Sequence, residues 1–333
     1  MGRPSDSAIF RSTVRISGVT WKENFSRAIV NMNITVNSLD IIFDEFKEKI
    51  VHINCCQGFT KSISKTALKD LKDQYEREKA YGLEIQSSDT MVMFCEDILS
   101  GVKVSIGSKE FSIDEYFSIH AKIRNKQYQW LLVEAYEVFE SYLKKLYANI
   151  GYFDNDFWEQ KDFGRISISE IKNCDLNWFI QQMKENKKTP DSILRQIHKK
   201  IPVLNIILAH KKKNNPKEID YRFMVNLISK LRHIIVHNNG ITDKSEFIKN
   251  RLKEIGRNSY GGKNQKYIDI VSWYFGIEQL SNTVCLTEAR HPTGKLMYYD
   301  RLNDLVEVIA SYAMFIHNIT KKHLESKINN KVN

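Results

Sequence analysis

The sequence predicts a mainly α-helical protein: a helical bundle with one inserted hairpin, behind a mixed α/β N-terminal region. Three observations lead there. Only five prolines and fourteen glycines punctuate 333 residues, so tight turns are few. From Tyr116 onward apolar residues recur with a helical period. Ahead of that point β-branched residues cluster without such a period.

Taken in order, Thr13, Val14, Ile16, Val19, Ile29, Val30, Ile34, Thr35 and Val36 give residues 8–36 a strand-like or mixed character. Residues 37–54 read as a capped helix with Ile41, Ile42, Phe46 and Ile50 apolar, and 61–81 as a charged, exposed helix. Residues 82–114 suggest a small sheet or an irregular linker. Residues 116–149 form a long helix with Leu131, Ala135, Val138, Tyr142 and Leu146 on one stripe. Glu134 and Glu137 lie off that stripe, and Glu140 sits at its far edge.

An aromatic connector, residues 151–156, is followed by helices over 168–187 and 191–213 and a basic turn at Lys211-Lys212-Lys213. The next helix, 217–238, stops at Asn238-Asn239-Gly240, a favourable C-terminal signal. Residues 241–299 are less regular, with a turn at Gly261-Gly262 and a hairpin from Thr283 to Tyr299. Asp300 caps a last helix, about 301–324. The expected organisation is therefore a mixed region at 1–118, to which position alone assigns a sensor or regulatory role, a helical domain at 119–325, and a frayed basic tail at 326–333.

Hydrophobic residues make up 42% and charged residues 27%, as in an ordinary folded chain rather than a disordered one. The net charge of +10 is unevenly spread: residues 1–125 hold 17 basic and 17 acidic side chains, residues 126–333 hold 33 and 23. A basic C-terminal part suits a polyanion such as RNA, although a lysine-rich solvated surface accounts for it equally. Cys55, Cys56, Cys95, Cys174 and Cys285 are odd in number and form no C-x-x-C pair, the pattern of reduced thiols in a cytoplasmic protein. No apolar leader follows Met1, and Asp6 spoils a myristoylation pattern. The most apolar run, Ile201 to Ala209, is too short to span a bilayer and contains Pro202, so no membrane association is expected. No metal site and no cofactor are expected; His291, His317 and His323 lack ligand spacing and read as surface or capping histidines.

The chemistry concentrates in Arg232-His233-Ile234-Ile235-Val236-His237-Asn238-Asn239-Gly240. On a helix, 217–238 splits into an apolar arc (Tyr221, Phe223, Met224, Leu227, Ile228, Leu231, Ile234, Ile235) and a polar arc. The polar arc gathers Arg222, Asn226, Ser229, Lys230, Arg232, His233 and His237, interrupted by Val225 and Val236. Arginine offers a permanent planar cation for phosphate, and histidine exchanges protons near neutral pH. In a metal-free cleavage of RNA, His237 would take a proton from a 2′-hydroxyl or give one to the 5′-oxygen, and Arg232 would hold the scissile phosphate. His233 and Asn238 would support that pair, Lys230 and Arg222 would bind RNA, and Glu140 would orient Arg232 or His237. Arg232 and His237 stand at opposite edges of the polar arc, about 7.5 Å apart along the axis. A working site therefore calls for the long Arg side chain to close the gap or for a second copy of the chain. The plain alternative is that these cations complement the helix dipole and cap its carbonyls.

Leu231-Arg232-His233-Ile234-Ile235-Val236-His237-Asn238 resembles the R-x4-H signature of the HEPN superfamily. The stretch Trp130-Leu131-Leu132-Val133-Glu134-Ala135-Tyr136-Glu137-Val138-Phe139-Glu140-Ser141-Tyr142-Leu143 is similar to the first bundle helix of its abortive-infection members. The resemblance covers roughly residues 120–325. It implies an up-down bundle, a homodimer with the motifs at its interface, and a metal-independent endoribonuclease of prokaryotic antiphage defence or toxin systems. It also implies an antitoxin or phage-derived trigger as partner. Arg232 and His237 take the central roles, His233 the variable polar position, and Glu140 a supporting one contested by Glu134 and Glu137. Some members of the superfamily instead bind RNA, a nucleotide or a protein without catalysis.

Overall fold

The computed structural model describes residues 21–81, 89–164, 166, 168–171, 173–204, 219–254, 264–290 and 298–332. The chain is mainly helical. Helix α1 spans Trp21–Ala80, and a hairpin of β1 (Asp89–Glu96) and β2 (Lys103–Phe111) follows. Helix α2 covers Ile113–Phe153. Three shorter helices come next: α3 (Ile168–Ile171), α4 (Leu176–Glu185) and α5 (Pro190–Lys200). Then come α6 (Tyr221–Asn238), α7 (Lys244–Glu254), α8 (Gln265–Trp273), the two-residue strands β3 (Ala289–Arg290) and β4 (Tyr298–Tyr299), and α9 (Arg301–Val332).

Four helices carry the architecture. Helices α1 and α6 each run antiparallel to α2, because Glu45 meets Lys145, Lys61 and Arg124 share Glu288, and Glu137 meets Arg232. Helix α9 runs parallel to α2: Tyr142 reaches the carbonyl of Ala313, and Asp154 the ammonium of Lys327. Their shared core includes Leu39, Phe43, Phe46, Ile50 and Ile53 of α1, Leu132, Phe139, Leu143 and Leu146 of α2, Leu227, Ile228 and Leu231 of α6, and Leu305, Ile309 and Ile316 of α9. Burial of such side chains, at roughly 1.5–3 kcal/mol each, holds the bundle. The α1 segment from Leu39 to Ile53 thus belongs to the same core as the bundle, on the N-terminal side of the boundary expected near 118.

Sequence and structure part company at the N-terminus. Residues 21–36, expected to be strand-like, are helical; the strand-like residues before them lie outside the described chain. A β-branched residue costs a helix only a few tenths of a kcal/mol, and a helix already nucleated extends through such residues cheaply. For the same reason the helices expected at 37–54 and 61–81 are one. Only Gly58 punctuates the stretch between them, and one glycine costs about 1 kcal/mol. The small sheet expected at 82–114 is present as the β1–β2 hairpin, with a bulge between Met93 and Phe94. Helix α2 begins at a capping box in which Ser112 and Glu115 bond each other's backbone N–H. Beyond α2, Trp158 stacks on Tyr147 (centroids 5.4 Å apart, planes at 10°) and donates to the Tyr147 carbonyl. Gly151 is required there: a Cβ would sit 2.2 Å from the Trp158 ring nitrogen.

Helix α5 is capped by Thr189, carries proline in its first turn and breaks at Ile201; residues 202–204 are helical again, and the rest of the stretch expected to reach 213, with Lys211 to Lys213, lies outside the described residues. The described residues between 241 and 290 include α7, α8 and a short 3-10 helix at Glu278–Leu280, and the expected hairpin is present as the β3–β4 pairing of Ala289–Arg290 with Tyr298–Tyr299. Helix α9 continues through Val332, past the expected end near 324 and through the segment expected to fray. His317 is a correction. Read as a surface or capping residue, it is 4% exposed, lies 3.1 Å from Asp40 of α1 and stacks on Phe43 at 4.4 Å. No described helix is long and apolar enough to cross a membrane.

Candidate functional site on helix α6

Helix α6 divides as its sequence requires. Phe223, Met224, Leu227, Ile228, Leu231, Ile234 and Ile235 are buried, while Arg222, His233 and His237 are exposed and Asn226, Ser229, Lys230 and Arg232 half-buried. Val225, which interrupts the polar arc, is buried as well. Asp220 caps the first turn by accepting from the Phe223 N–H.

The other end closes through Asn239, which is left-handed at φ 54°, and Gly240, whose N–H returns to the Ile234 carbonyl at 3.1 Å. Gly240 is needed twice over: its φ is +79°, and a Cβ would meet Gln129 of α2 at 2.4 Å. Gln129 and Asn125 of α2 both donate to the Val284 carbonyl, at 2.7 and 2.9 Å, and the Val284 N–H donates to the Gly240 carbonyl at 2.8 Å. Val284 thus moors the motif end of α6 to α2.

Arg232 donates through Nη2 to Glu137 Oε1 at 3.1 Å, and its Nε–H is buried without a partner. Glu137 replaces Glu140 as the carboxylate beside Arg232. Glu140 pairs instead with Lys144, one turn along its own helix, at 2.7 Å. The difference is one of register. Glu140 reaches no hydrogen-bonding partner on α6, and among the described residues no bond joins it to Arg232 or His237.

The rings of His233 and His237 lie 4.5 Å apart, tilted at 51°, brought together by their i, i+4 spacing on the exposed last turns. Among the described residues no hydrogen bond or ion pair joins Arg232 to His237. Asn238 is exposed, and its carbonyl accepts from the Ile241 N–H. Lys230 lies 4.0 Å from Glu254 of α7. Arg251, buried and not singled out in the sequence, donates to Asn226 at 3.1 Å and pairs with Glu254.

Arg222 stands about 15 Å along the axis from Arg232, in different company. Its Nη2 lies 2.8 Å from Nδ1 of His198 on α5, whose Nε2 lies 2.8 Å from the Tyr312 hydroxyl of α9. These groups line a cleft of about 210 Å³ that extends to Tyr136 and Ser229. Burial raises the Tyr136 pKa, opposed by a hydrogen bond from Ser229. Among the described residues no group of three or more His, Cys, Asp or Glu side chains is arranged to hold a metal ion, and the five cysteines are unpaired.

No family model, curated protein or solved structure matches this chain.

Proposed function

We propose that this protein is a metal-independent endoribonuclease with Arg232 and His237 at its centre. The observation that carries this reading is that the last two turns of one solvent-facing helix present both a carboxylate-held guanidinium and an accessible imidazole pair. The Glu137 carboxylate holds the Arg232 fork at 3.1 Å, ready to engage a phosphate. His237 serves as the proton carrier, taking the 2′-hydroxyl proton or protonating the departing 5′-oxygen, and leaves a 2′,3′-cyclic phosphate and a 5′-hydroxyl. His233 and Asn238 flank it, and Lys230 lies on the approach.

With Arg232 and His237 unbonded to each other, a single face supplies an incomplete set. A homodimer that brings two copies of α6 together completes it. The HEPN resemblance supports the same assembly, a role in prokaryotic antiphage defence or as a toxin, and control by an antitoxin or phage-derived trigger.

A second reading has its own support. Arg232 is already engaged by Glu137, and among the described residues no carboxylate bonds His237, as in a non-catalytic module that binds RNA, a nucleotide or a protein. Incubation of the full chain with total RNA in the presence of a chelator separates the two. Cleavage with 5′-hydroxyl ends that disappears in Arg232→Ala and His237→Ala supports the nuclease. Cleavage that persists in both variants, or depends on added metal, overturns it. A gel shift of uncut RNA supports the binding module.

A further inference from the structure

The cleft at the N-terminal half of α6 is built from parts that converge from four helices. Arg222 comes from α6, Arg195 and His198 from α5, Tyr136 from α2 and Tyr312 from α9. Its side chains set out an order of donors. A guanidinium N–H can only donate, so His198 Nδ1 accepts from Arg222. His198 then carries its proton on Nε2 and donates it to the Tyr312 oxygen at 2.8 Å. That arrangement leaves the Tyr312 hydroxyl hydrogen for a further acceptor.

Charge points the same way. Among the described residues the lining holds the guanidinium groups of Arg222 and Arg195 and the carboxylate of Asp191, which lies 3.0 Å from Arg195 on the exposed rim. Leu194 and Val225, both buried, give the lining an apolar part. The volume of about 210 Å³ corresponds to about seven waters at ~30 Å³ each, more than a phosphate group fills on its own.

We propose that this cleft binds a small phosphate ester, with the phosphate between Arg222 and Arg195 and the organic part against Leu194 and Val225. A carboxylate has two oxygens and suits one arginine fork. A phosphate has three free oxygens, enough for both arginines and the Tyr312 hydroxyl together. Arg195 exchanges Asp191 for the ligand. Because Arg222 and Arg232 share the polar face of α6, the ester is either a free small molecule or the terminal phosphate of an RNA strand lying along that face; a phosphodiester inside the strand keeps only two unbridged oxygens. Only the RNA source rests on the nuclease reading; the phosphate site does not.

The test is calorimetric titration of the full chain with phenyl phosphate, beside phenol and inorganic phosphate. Phenyl phosphate is expected to bind more tightly than inorganic phosphate, and phenol not to bind. Arg222→Ala is expected to weaken phenyl phosphate by about tenfold or more, as loss of a charge-assisted bond implies. Arg195→Ala is expected to weaken it less, and Arg222→Lys to fall between Arg222→Ala and the parent. Arg232→Ala and His237→Ala are expected to leave binding unchanged, so loss of nuclease function and loss of this site register separately. Equal binding of phenol, or unchanged affinity in Arg222→Ala with a preserved melting curve, overturns the proposal. A short 5′-phosphorylated oligoribonucleotide that displaces phenyl phosphate identifies the strand end as the source; failure to displace identifies a free ester. Either result requires the site to be present.

Discussion

The two ends of helix α6 carry the same kinds of side chain and do different things with them. At the N-terminal end Arg222 lies in a concave cleft, bonded to His198, which is bonded to Tyr312, with apolar walls around them. At the C-terminal end Arg232 and His237 stand on an open surface, one tied to Glu137 and the other in tilted contact with the His233 ring. An arginine and a histidine on a helix do not by themselves make a site. The neighbouring elements decide whether the pair is enclosed, and so whether one chain suffices. The cleft end gathers its groups from four helices of one chain, whereas the motif end presents its groups on an open face.

The largest expected effect belongs to the motif end. His237→Ala is expected to lower RNA cleavage by about 10²–10⁴-fold, the usual worth of a positioned proton carrier, with phenyl phosphate binding and melting temperature unchanged. A His237→Ala chain that cleaves at the parental rate would mean that the open end is a capped helix terminus and nothing more.

Gly240→Val comes next. It places a side chain at φ +79° and against Gln129, and is expected to destabilise the fold by about 1–3 kcal/mol. The strain falls on the contacts that moor α6 to Val284, so cleavage should suffer more than phenyl phosphate binding. Chemical denaturation and the two functional readouts on one sample check this. Equal losses at both ends would show that α6 behaves as one rigid rod.

A smaller effect separates pH dependence of folding from pH dependence of chemistry. Burial lowers the pKa of His317 below its ordinary 6.5, outweighing the opposing pull of Asp40; Lys321 and Lys47 add to the lowering. Protonation is therefore easier in the unfolded chain. The unfolded state binds more protons just below pH 6.5, so stability falls as pH drops through 6.5 and levels off once the folded His317 is itself protonated. His317→Gln is expected to flatten that slope in denaturation midpoints measured between pH 7.5 and 5.5. An unchanged slope would show that another group sets the acid limb. Any acid limb of cleavage that remains in His317→Gln then belongs to the motif end.

Much of α6 was legible in its sequence because one periodicity governs it. Every residue placed on the apolar arc is buried or half-buried, and Arg222, His233 and His237 are exposed as placed. Side chains paired across helices were not legible. His198 comes from 24 positions before Arg222 and Asp40 from 277 before His317, and no local pattern announces either partner. The cleft was invisible for the same reason, since it exists only where α2, α5, α6 and α9 meet. Residues 29–36 misled in the opposite way: their β-branched side chains state a local preference that a 60-residue helix overrides.

The smallest effect distinguishes two carboxylates one turn apart. Glu137 touches Arg232 and is 57% exposed, so the pair is worth at most about 1 kcal/mol to folding. Glu137→Gln is therefore expected to leave the melting temperature nearly unchanged. It should loosen the Arg232 fork and raise the KM for RNA more than it lowers kcat, because Arg232 then has to be positioned by the substrate itself. Glu140→Gln breaks only the contact with Lys144 and is expected to change neither constant. If Glu140→Gln impairs cleavage while Glu137→Gln does not, the carboxylate assignment reverses, and the open end of α6 must rearrange on meeting its partner surface to bring Glu140 within reach of Arg232 or His237.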